Sequence, residues 1–394
     1  MTRRVAILGS TGSIGRQALQ VIAAHPDRFS VSALAANANI ELLATQANSL
    51  RPRVVSAGNA SLAAELKSAL TYTPERITHG QGGLVEAATQ SGADAVLAAT
   101  DGTIALRAVV ASIELGMHLA LANKELLVSA GRLICDLARA RGACIVPVDS
   151  EHSALFQCLA GERSSDVASV VLTASGGPFW KSTLEQMERA TPEEALQHPN
   201  WSMGAKNTLD SATLMNKGLE IIEASRLFDL APDRIAAVVH RQSIVHGFVL
   251  FTDGNVKAQL AAPDMRLPIG YALAYPQRLP HGFVETATRS AIGLGHDASI
   301  LSFEPIDEGR FPAVRLAYNA LSAGGTYPAA LSAANEEAGR AFLQRKIKFT
   351  EICPIIERAL EAHCNGADGL EEIEAADRWS RAFARDAIGA TMQS

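Results

Sequence analysis

Short apolar runs alternate with helical segments over the first 150 residues, and this alternation constrains the fold of the chain more than any other feature. It begins with Val5-Ala6-Ile7-Leu8, a run of strand length ended by Gly9-Ser10-Thr11-Gly12-Ser13-Ile14-Gly15 and followed by a helical stretch from 16 to 24. Strand, glycine turn and helix in that order form the context of a dinucleotide fingerprint. Glycine lets the backbone approach a pyrophosphate, and the helix N-terminus faces its charge. The spacing is GxxGxxG rather than GxGxxG, a variant found in several NADP-linked enzymes. A plain glycine turn in an α/β domain is the alternative.

Further units repeat the pattern. Strands are predicted at 29–35, 54–56, 93–99, 118–122 and 143–148, and helices at 40–49, 61–70, 103–115 and from after Glu125 to about Arg141. Such alternation means α/β architecture with a doubly wound parallel sheet of Rossmann type. Ligands of these sheets sit beyond the strand C-termini. Two of those ends are charged, Asn123-Lys124-Glu125 and Asp149-Ser150-Glu151. In an extended segment Asp149 and Glu151 point the same way. Two hard carboxylates, with Glu220 as a third, suit an octahedral Mg²⁺ or Mn²⁺. Equally, Asp149 and Glu151 can cap a helix starting near Ser153, and both readings stay open.

The segment 198–223 carries the other concentration of chemistry. His198-Pro199-Asn200 blocks helix and Gly204 permits a bend. Helix then follows, with Asp210 and Ser211 as N-cap candidates and Leu214, Leu219, Ile222 and Leu227 as its apolar face. Asn216, Lys217 and Glu220 share one face by their i,i+3 and i,i+4 spacing. A cation, neutral donors and a carboxylate near a helix N-terminus suit a phosphate beside a metal; a solvated salt-bridged face is the alternative. The preceding stretch, Gly176 to Gly204, reads as a long polar segment with one short helix near 192–197. It holds Trp180 and Trp201, so it reads as a lid.

The balance of the 394 residues excludes several classes. With 48% hydrophobic and 19% charged residues the chain reads as globular, and its net charge of −6 carries no basic footprint for nucleic acid. Cys135, Cys144, Cys158, Cys353 and Cys364 form no CxxC pair, which suggests reduced thiols in a cytoplasm. No apolar run is long enough to span a membrane. From Pro312 onward, helices are predicted at 313–323, 328–343, 350–363 and 370–388, a bundle that buttresses the rest.

The set GSTGSIG, LANKE, VDSEHSA, ASGGPF, HPNWSMG, DSATLMNKGLE, HRQSIVHG and PDMR, running in order from Val5 to about Asn335, closely resembles the 1-deoxy-D-xylulose 5-phosphate reductoisomerase family. The resemblance implies NADPH- and divalent-metal-dependent conversion of 1-deoxy-D-xylulose 5-phosphate to 2-C-methyl-D-erythritol 4-phosphate, the committed step of the non-mevalonate isoprenoid route. It implies a homodimer, with Co²⁺ as a further possible metal. Residue by residue, it implies Asp149, Glu151 and Glu220 as metal ligands. Ser175, His198, Ser211, Asn216 and Lys217 would hold the phosphate end, and Lys124 and Ser150 the substrate's hydroxyl and carbonyl oxygens. Ser10, Thr11, Gly12, Ser13, Ile14, Asn37, Ala38, Asn39, Asn123, Glu125 and Gly204 would contact NADPH, and Trp201 and Met203 would belong to the lid. The expected domains are 1–148 for NADPH, 149–290 for catalysis, a connector at 291–311 and a helical domain at 312–394.

Two departures from the family pattern stand out. His240-Arg241-Gln242-Ser243 replaces the usual His-Pro-Gln-Ser, which the sequence reads as a packing detail. Ala38 stands where a Lys or Arg is often found, which weakens the expected grip on an NADPH 2′-phosphate. Two other classes remain: a semialdehyde dehydrogenase, which needs a nucleophilic cysteine near an arginine, and a silent NADPH-binding regulator, which has no need of the three carboxylates. His246 is expected to pack a strand rather than carry protons.

Overall fold

The computed structural model describes residues 2–201, 204–280, 289, 292 and 300–391, so Met203 lies outside the described residues. The elements run β1 Arg3–Leu8, α1 Ser13–Ala24, β2 Phe29–Ala35, α2 Ile40–Leu50, β3 Val54–Ala57, α3 Ala60–Ala69, β4 Arg76–His79, α4 Gly80–Thr89, β5 Ala95–Ala98, α5 Leu106–Glu114, β6 His118–Leu121, α6 Lys124–Arg141, β7 Cys144–Pro147 and α7 Ser150–Leu159. They continue with β8 Val167–Ala174, α8 Leu184–Glu188, α9 Pro192–Ala195, α10 Ala205–Ala212, α11 Met215–Phe228, β9 Ile235–Val239, β10 Val245–Phe251, β11 Val256–Leu260, α12 Arg266–Ala274, β12 Glu304–Pro305, α13 Ala313–Ala323, α14 Tyr327–Leu343, α15 Ile352–Ala362 and α16 Leu370–Thr391.

Two compact units form. The first comprises Met1–Leu126, Ile134–Ser153 and Asp264–Phe283; the second comprises Leu127–Leu133, Ala154–Pro263 and Val284–Ser394. Both are assembled from non-contiguous stretches.

The first unit is a seven-stranded, all-parallel sheet of order β4-β3-β2-β1-β5-β6-β7. Its central strands are apolar runs, fully buried in β1 from Val5 to Leu8 and throughout β5, as expected where helices cover both faces. The order reverses between β1 and β5, which makes their C-terminal ends the place for a ligand. Neither β4 nor α4 is marked by the sequence pattern. In β4 only Thr78 is buried, and α4 opens with Gly80-Gln81-Gly82-Gly83, which reads as a loop. The glycine serves packing: a Cβ on Gly83 would lie 2.6 Å from Ser56 Oγ.

The second unit has a five-stranded mixed sheet, order β11-β10-β8-β9-β12, with β8 and β9 parallel and the other neighbours antiparallel. The β10–β11 hairpin turns at Asp253-Gly254, with Gly254 at φ +85°. Helix α11 packs on β8 and β9 and on α13. A Cβ on Gly218 would come within 2.8 Å of Ala317 Cβ, so glycine permits this close crossing. The C-terminal helices form as predicted, with α14 nearly all buried beneath α15 and α16. Buried Asn335 on α14 donates to the Asp210 carboxylate at 2.8 Å and ties α14 to α10.

Candidate active site

The glycine turn lies at the reversal point of the parallel sheet. Gly9 sits at φ +95°, and a Cβ there would be 2.2 Å from Ala99 O beyond the end of β5. A Cβ on Gly15 would be 2.3 Å from Gly9 O. The N–H groups of Gly9 and Ser10 both donate to Ala35 O at 2.9 Å, lashing the turn to the end of β2. Gly12 is the N-cap of α1 and offers no side-chain cap, so first-turn N–H groups are presented to an anion. Thr11, Gly12, Ser13 and Ile14 retain exposure here. Ser10 differs: it is buried, its hydroxyl donates to Gln46 Oε1 at 2.8 Å and its carbonyl accepts from Gln46 Nε2 at 3.0 Å, so it anchors the turn to α2.

After β2, Asn37, Ala38 and Asn39 are exposed. The Asn39 carbonyl oxygen caps α2 by accepting from Leu42 N–H at 3.1 Å, which leaves its amide protons. Asn123 is buried and fully engaged. Its Oδ1 accepts from Leu126 N–H, and its Nδ2 donates to Thr100 O at 2.6 Å and Gly102 O at 2.7 Å. Its side chain therefore joins the ends of β5 and β6 instead of standing open to a ligand. Glu125 beside it is buried as well.

The ends of β6 and β7 bring two charges together in the same unit. Lys124 opens α6, Asp149 follows β7, and Lys124 Nζ lies 2.6 Å from Asp149 Oδ2, with side chains 8% and 11% exposed. The expectation of an extended Asp149-Ser150-Glu151 is corrected: α7 starts at Ser150, and Asp149 O accepts from Ser153 N–H at 2.8 Å. Asp is a favoured residue before a first helical turn. Ser150 Oγ donates to the Glu151 carboxylate in that turn. Both carboxylates thus present hard oxygen donors within one helix start, a donor set suited to Mg²⁺.

In the second unit, Gly204 is the N-cap of α10. The expected caps Asp210 and Ser211 instead lie inside α10. The Asp210 carboxylate is bound by Lys206 at 2.9 Å and by Asn335, while Ser211 Oγ donates to Asn207 O at 2.8 Å. The break between α10 and α11 is made by Leu214 at φ +59°. On α11, Asn216 Nδ2 and Lys217 Nζ both donate to the Glu220 carboxylate. The Lys217 and Glu220 side chains are only 2% and 1% exposed. A solvated salt-bridged face is therefore excluded: the pair is a buried cation and anion, with Glu223 buried on the same helix.

Beyond β8, Gly177 (φ +65°) abuts Ser211: a Cβ there would be 2.4 Å from Ser211 O. His198 Nδ1 receives the N–H groups of Asn200 at 3.1 Å and Trp201 at 2.9 Å. Nδ1 is thus an acceptor, and the neutral ring carries its proton on Nε2, 2.9 Å from Ser175 Oγ. Burial, aided by the charge of Arg241, pushes His198 down to about 4. Ser175 Oγ accepts from His198 and from Gly177 N–H at 3.3 Å. Among the described residues no protein acceptor takes the Ser175 hydroxyl proton, which is available to an anion.

The lid expectation is corrected in extent. Trp180 is 5% exposed, stacks on Phe311 at 5.8 Å and donates from Nε1 to Glu304 at 3.3 Å, so it is core. Helices α8 and α9 each start in a capping box, Thr183 with Gln186 and Thr191 with Glu194. His198 to Trp201 lie in loop, and there Trp201 is 6.1 Å from the buried His246 ring. Burial raises the Cys144, Cys158 and Cys353 thiols, the last to about 12, opposite to what a nucleophilic cysteine requires. Arg241, read from the sequence as packing, binds Ser175 O and Gly177 O at 2.8 Å each.

Comparison with known proteins matches three family descriptions along the chain. They are 1-deoxy-D-xylulose 5-phosphate reductoisomerase at residues 5–131, its C-terminal domain at 145–228, and DXP reductoisomerase C-terminal domain at 260–383. The 1-deoxy-D-xylulose 5-phosphate reductoisomerase of Geobacter metallireducens is 49% identical over 388 residues, covering 98% of this chain and 99% of the relative. That of Chlorobium limicola is 49% identical over 389 residues, covering 98% and 100%. Among solved structures, the Zymomonas mobilis enzyme in complex with NADPH superposes with TM-score 0.89 at 41% identity, covering 98% and 99%. A DOX-P reductoisomerase in complex with NADPH, fosmidomycin and magnesium gives TM-score 0.91 at 37% identity, covering 100% of both chains.

Proposed function

The chain belongs to the 1-deoxy-D-xylulose 5-phosphate reductoisomerase family, and from that premise we propose a role in its reaction for the features above. The reaction is the NADPH- and metal-dependent conversion of 1-deoxy-D-xylulose 5-phosphate to 2-C-methyl-D-erythritol 4-phosphate. The carrying observation is the buried Asn216–Lys217–Glu220 constellation on α11. A charged pair at 2% and 1% exposure is poor stabilisation for its own sake, which supports a role in binding.

In this reading the Gly9–Gly15 turn and the start of α1 hold the NADPH pyrophosphate, with Asn37 and Asn39 toward the ribose. Asp149, Glu151 and Glu220 would ligate the divalent ion. When bound, that ion supplies Lewis acidity toward the substrate's carbonyl and hydroxyl oxygens. Lys124, held by Asp149, donates to the oxygen where negative charge develops during the skeletal rearrangement, whether retro-aldol/aldol or α-ketol. Ser150 hydrogen-bonds the substrate beside it. His198 with its proton on Nε2, Ser175, Ser211, Asn216 and Lys217 hold the phosphate and so fix the carbon chain for hydride transfer from NADPH. Trp201 and its loop keep water from the aldehyde.

The same reading includes a homodimer, Mn²⁺ or Co²⁺ as alternatives to Mg²⁺, a cytoplasmic place in isoprenoid precursor synthesis, and the functional division at 148, 290 and 311. The test of the site is Glu220→Gln. Turnover should fall by at least about a hundredfold, the scale of losing a metal-site group, with NADPH affinity retained. Near wild-type turnover at limiting metal removes Glu220 from the ligand set.

A further inference from the structure

Arg241 occupies a position that the functional reading leaves without a role. Its Nη1 donates to both Ser175 O and Gly177 O at 2.8 Å, so one nitrogen staples the turn that follows β8. Its own carbonyl accepts from Asn200 Nδ2 at 2.6 Å, and Asn200 is one of the two residues whose N–H groups orient His198. The residue therefore holds the β8 turn with its side chain and the His198 loop with its backbone. Gly177, the second stapled carbonyl, is the glycine pressed against Ser211 O. Ser175, His198 and Ser211 consequently depend on the same residue for their mutual placement.

Charge follows the same geometry. A guanidinium has five N–H donors in a planar fork. Among the described residues only Nη1 has protein acceptors, which leaves the three donors on Nε and Nη2 for solvent or an anion. Half-buried and facing Glu304, the group is a fixed positive charge beside the available Ser175 proton. A proline at this position, the residue usual in the family, offers the carbonyl but neither the staple nor the charge.

We propose that Arg241 is a positioning residue of the phosphate subsite, stapling the Ser175–Gly177 turn and adding a fixed positive charge to the anion held there. This rests on the assignment of Ser175 and His198 to the phosphate end, and the experiment separates the two. Wild type, Arg241→Met, Arg241→Lys and Ser175→Ala are compared for substrate KM and kcat, for competitive inhibition by inorganic phosphate at two ionic strengths, and for NADPH affinity. Arg241→Met should raise KM about tenfold and weaken phosphate inhibition in step, the low end for a lost charge-assisted hydrogen bond. Its kcat should stay within about twofold, because a phosphate contact is felt equally in ground and transition states. Arg241→Lys should recover the salt dependence of phosphate inhibition and only part of KM, since a point charge cannot reproduce the double staple. NADPH affinity should be unchanged throughout and reports an intact fold. If Ser175→Ala raises KM while Arg241→Met leaves KM and phosphate inhibition unaltered, the proposal is overturned and the subsite stands. If Ser175→Ala itself leaves both unaltered, the phosphate assignment fails and the proposal with it. A joint fall of kcat and NADPH affinity that lysine does not restore marks a purely structural residue and also overturns it.

Discussion

Lys217→Met isolates the energetics of the α11 constellation. Methionine approximates the length and volume of the lysine stem, so the main change is loss of the ammonium. The Lys217 and Glu220 side chains are 2% and 1% exposed, so the carboxylate cannot turn to bulk water. Asn216 Nδ2 still donates to it. Removing one partner of a buried ion pair costs about 3–5 kcal/mol, because the remaining charge stays buried after its counter-charge is gone. At about 2–4 °C per kcal/mol for a unit of 150–250 residues, the thermal midpoint should drop by roughly 6–20 °C. Two further arms separate stranded charge from lost packing. Adding Glu220→Gln removes the carboxylate and should recover at least about half of the loss, a coupling expected of direct neighbours. Mg²⁺ should raise the midpoint of Lys217→Met but not of the double variant, because only the former retains the proposed ligand. The measurement is a thermal melt of wild type, both single variants and the double variant, with and without Mg²⁺. A Lys217→Met midpoint within about 2 °C of wild type, or a double variant as unstable as the single one, refutes the stranded-charge argument.

Three other outcomes are expected. Gly15→Ala puts a Cβ 2.3 Å from Gly9 O, so the turn must open and NADPH should bind at least about tenfold more weakly, a loss of about 1.4 kcal/mol; an unchanged dissociation constant by fluorescence titration counts against the cradle. Ala38→Arg should widen the NADPH-over-NADH ratio of kcat/KM by roughly 1–3 kcal/mol, the scale of a hydrogen bond to a charged group, and a ratio that fails to rise shows that Ala38 does not face the 2′-phosphate. His198, held neutral down to about 4, binds its proton less readily than in the unfolded chain, so its contribution is intact above the ordinary value of 6.5 and is lost as pH falls from there toward 4; His198→Asn should flatten that part of the stability-versus-pH curve, and an identical slope in the variant would exclude the buried neutral ring.

The parallel sheet was legible, β4 apart, because strands such as β1 and β5 are uninterrupted apolar runs and its turn has glycines where a Cβ would strike Ala99 O or Gly9 O. Local chemistry of that kind is written in consecutive residues. The C-terminal helices were legible for the same reason, through their periodicity and the Gly324-Gly325 and Asn365-Gly366 breaks. What escaped depends on distant partners. Trp180 sits among polar neighbours in sequence, yet Glu304 and Phe311, more than a hundred positions away, make it core. The break at Leu214 was hidden because leucine rarely adopts positive φ, so nothing marks the end of α10. Asp210 and Ser211 look like caps until Lys206, Asn207 and Asn335 claim their side chains. Arg241 carries no signal in its own vicinity, since its acceptors belong to a turn 64 and 66 residues earlier.

The central claim is that this chain couples a metal-dependent rearrangement to reduction by NADPH. The most direct measurement is NADPH oxidation by the purified protein with 1-deoxy-D-xylulose 5-phosphate, before and after removal of divalent metal by a chelator, with the carbon skeleton of the product determined by NMR. Oxidation that needs both the sugar phosphate and Mg²⁺, and yields the branched 2-C-methyl-D-erythritol 4-phosphate, is the predicted result. Oxidation that persists without metal, or a product that keeps the unbranched skeleton, would contradict the account.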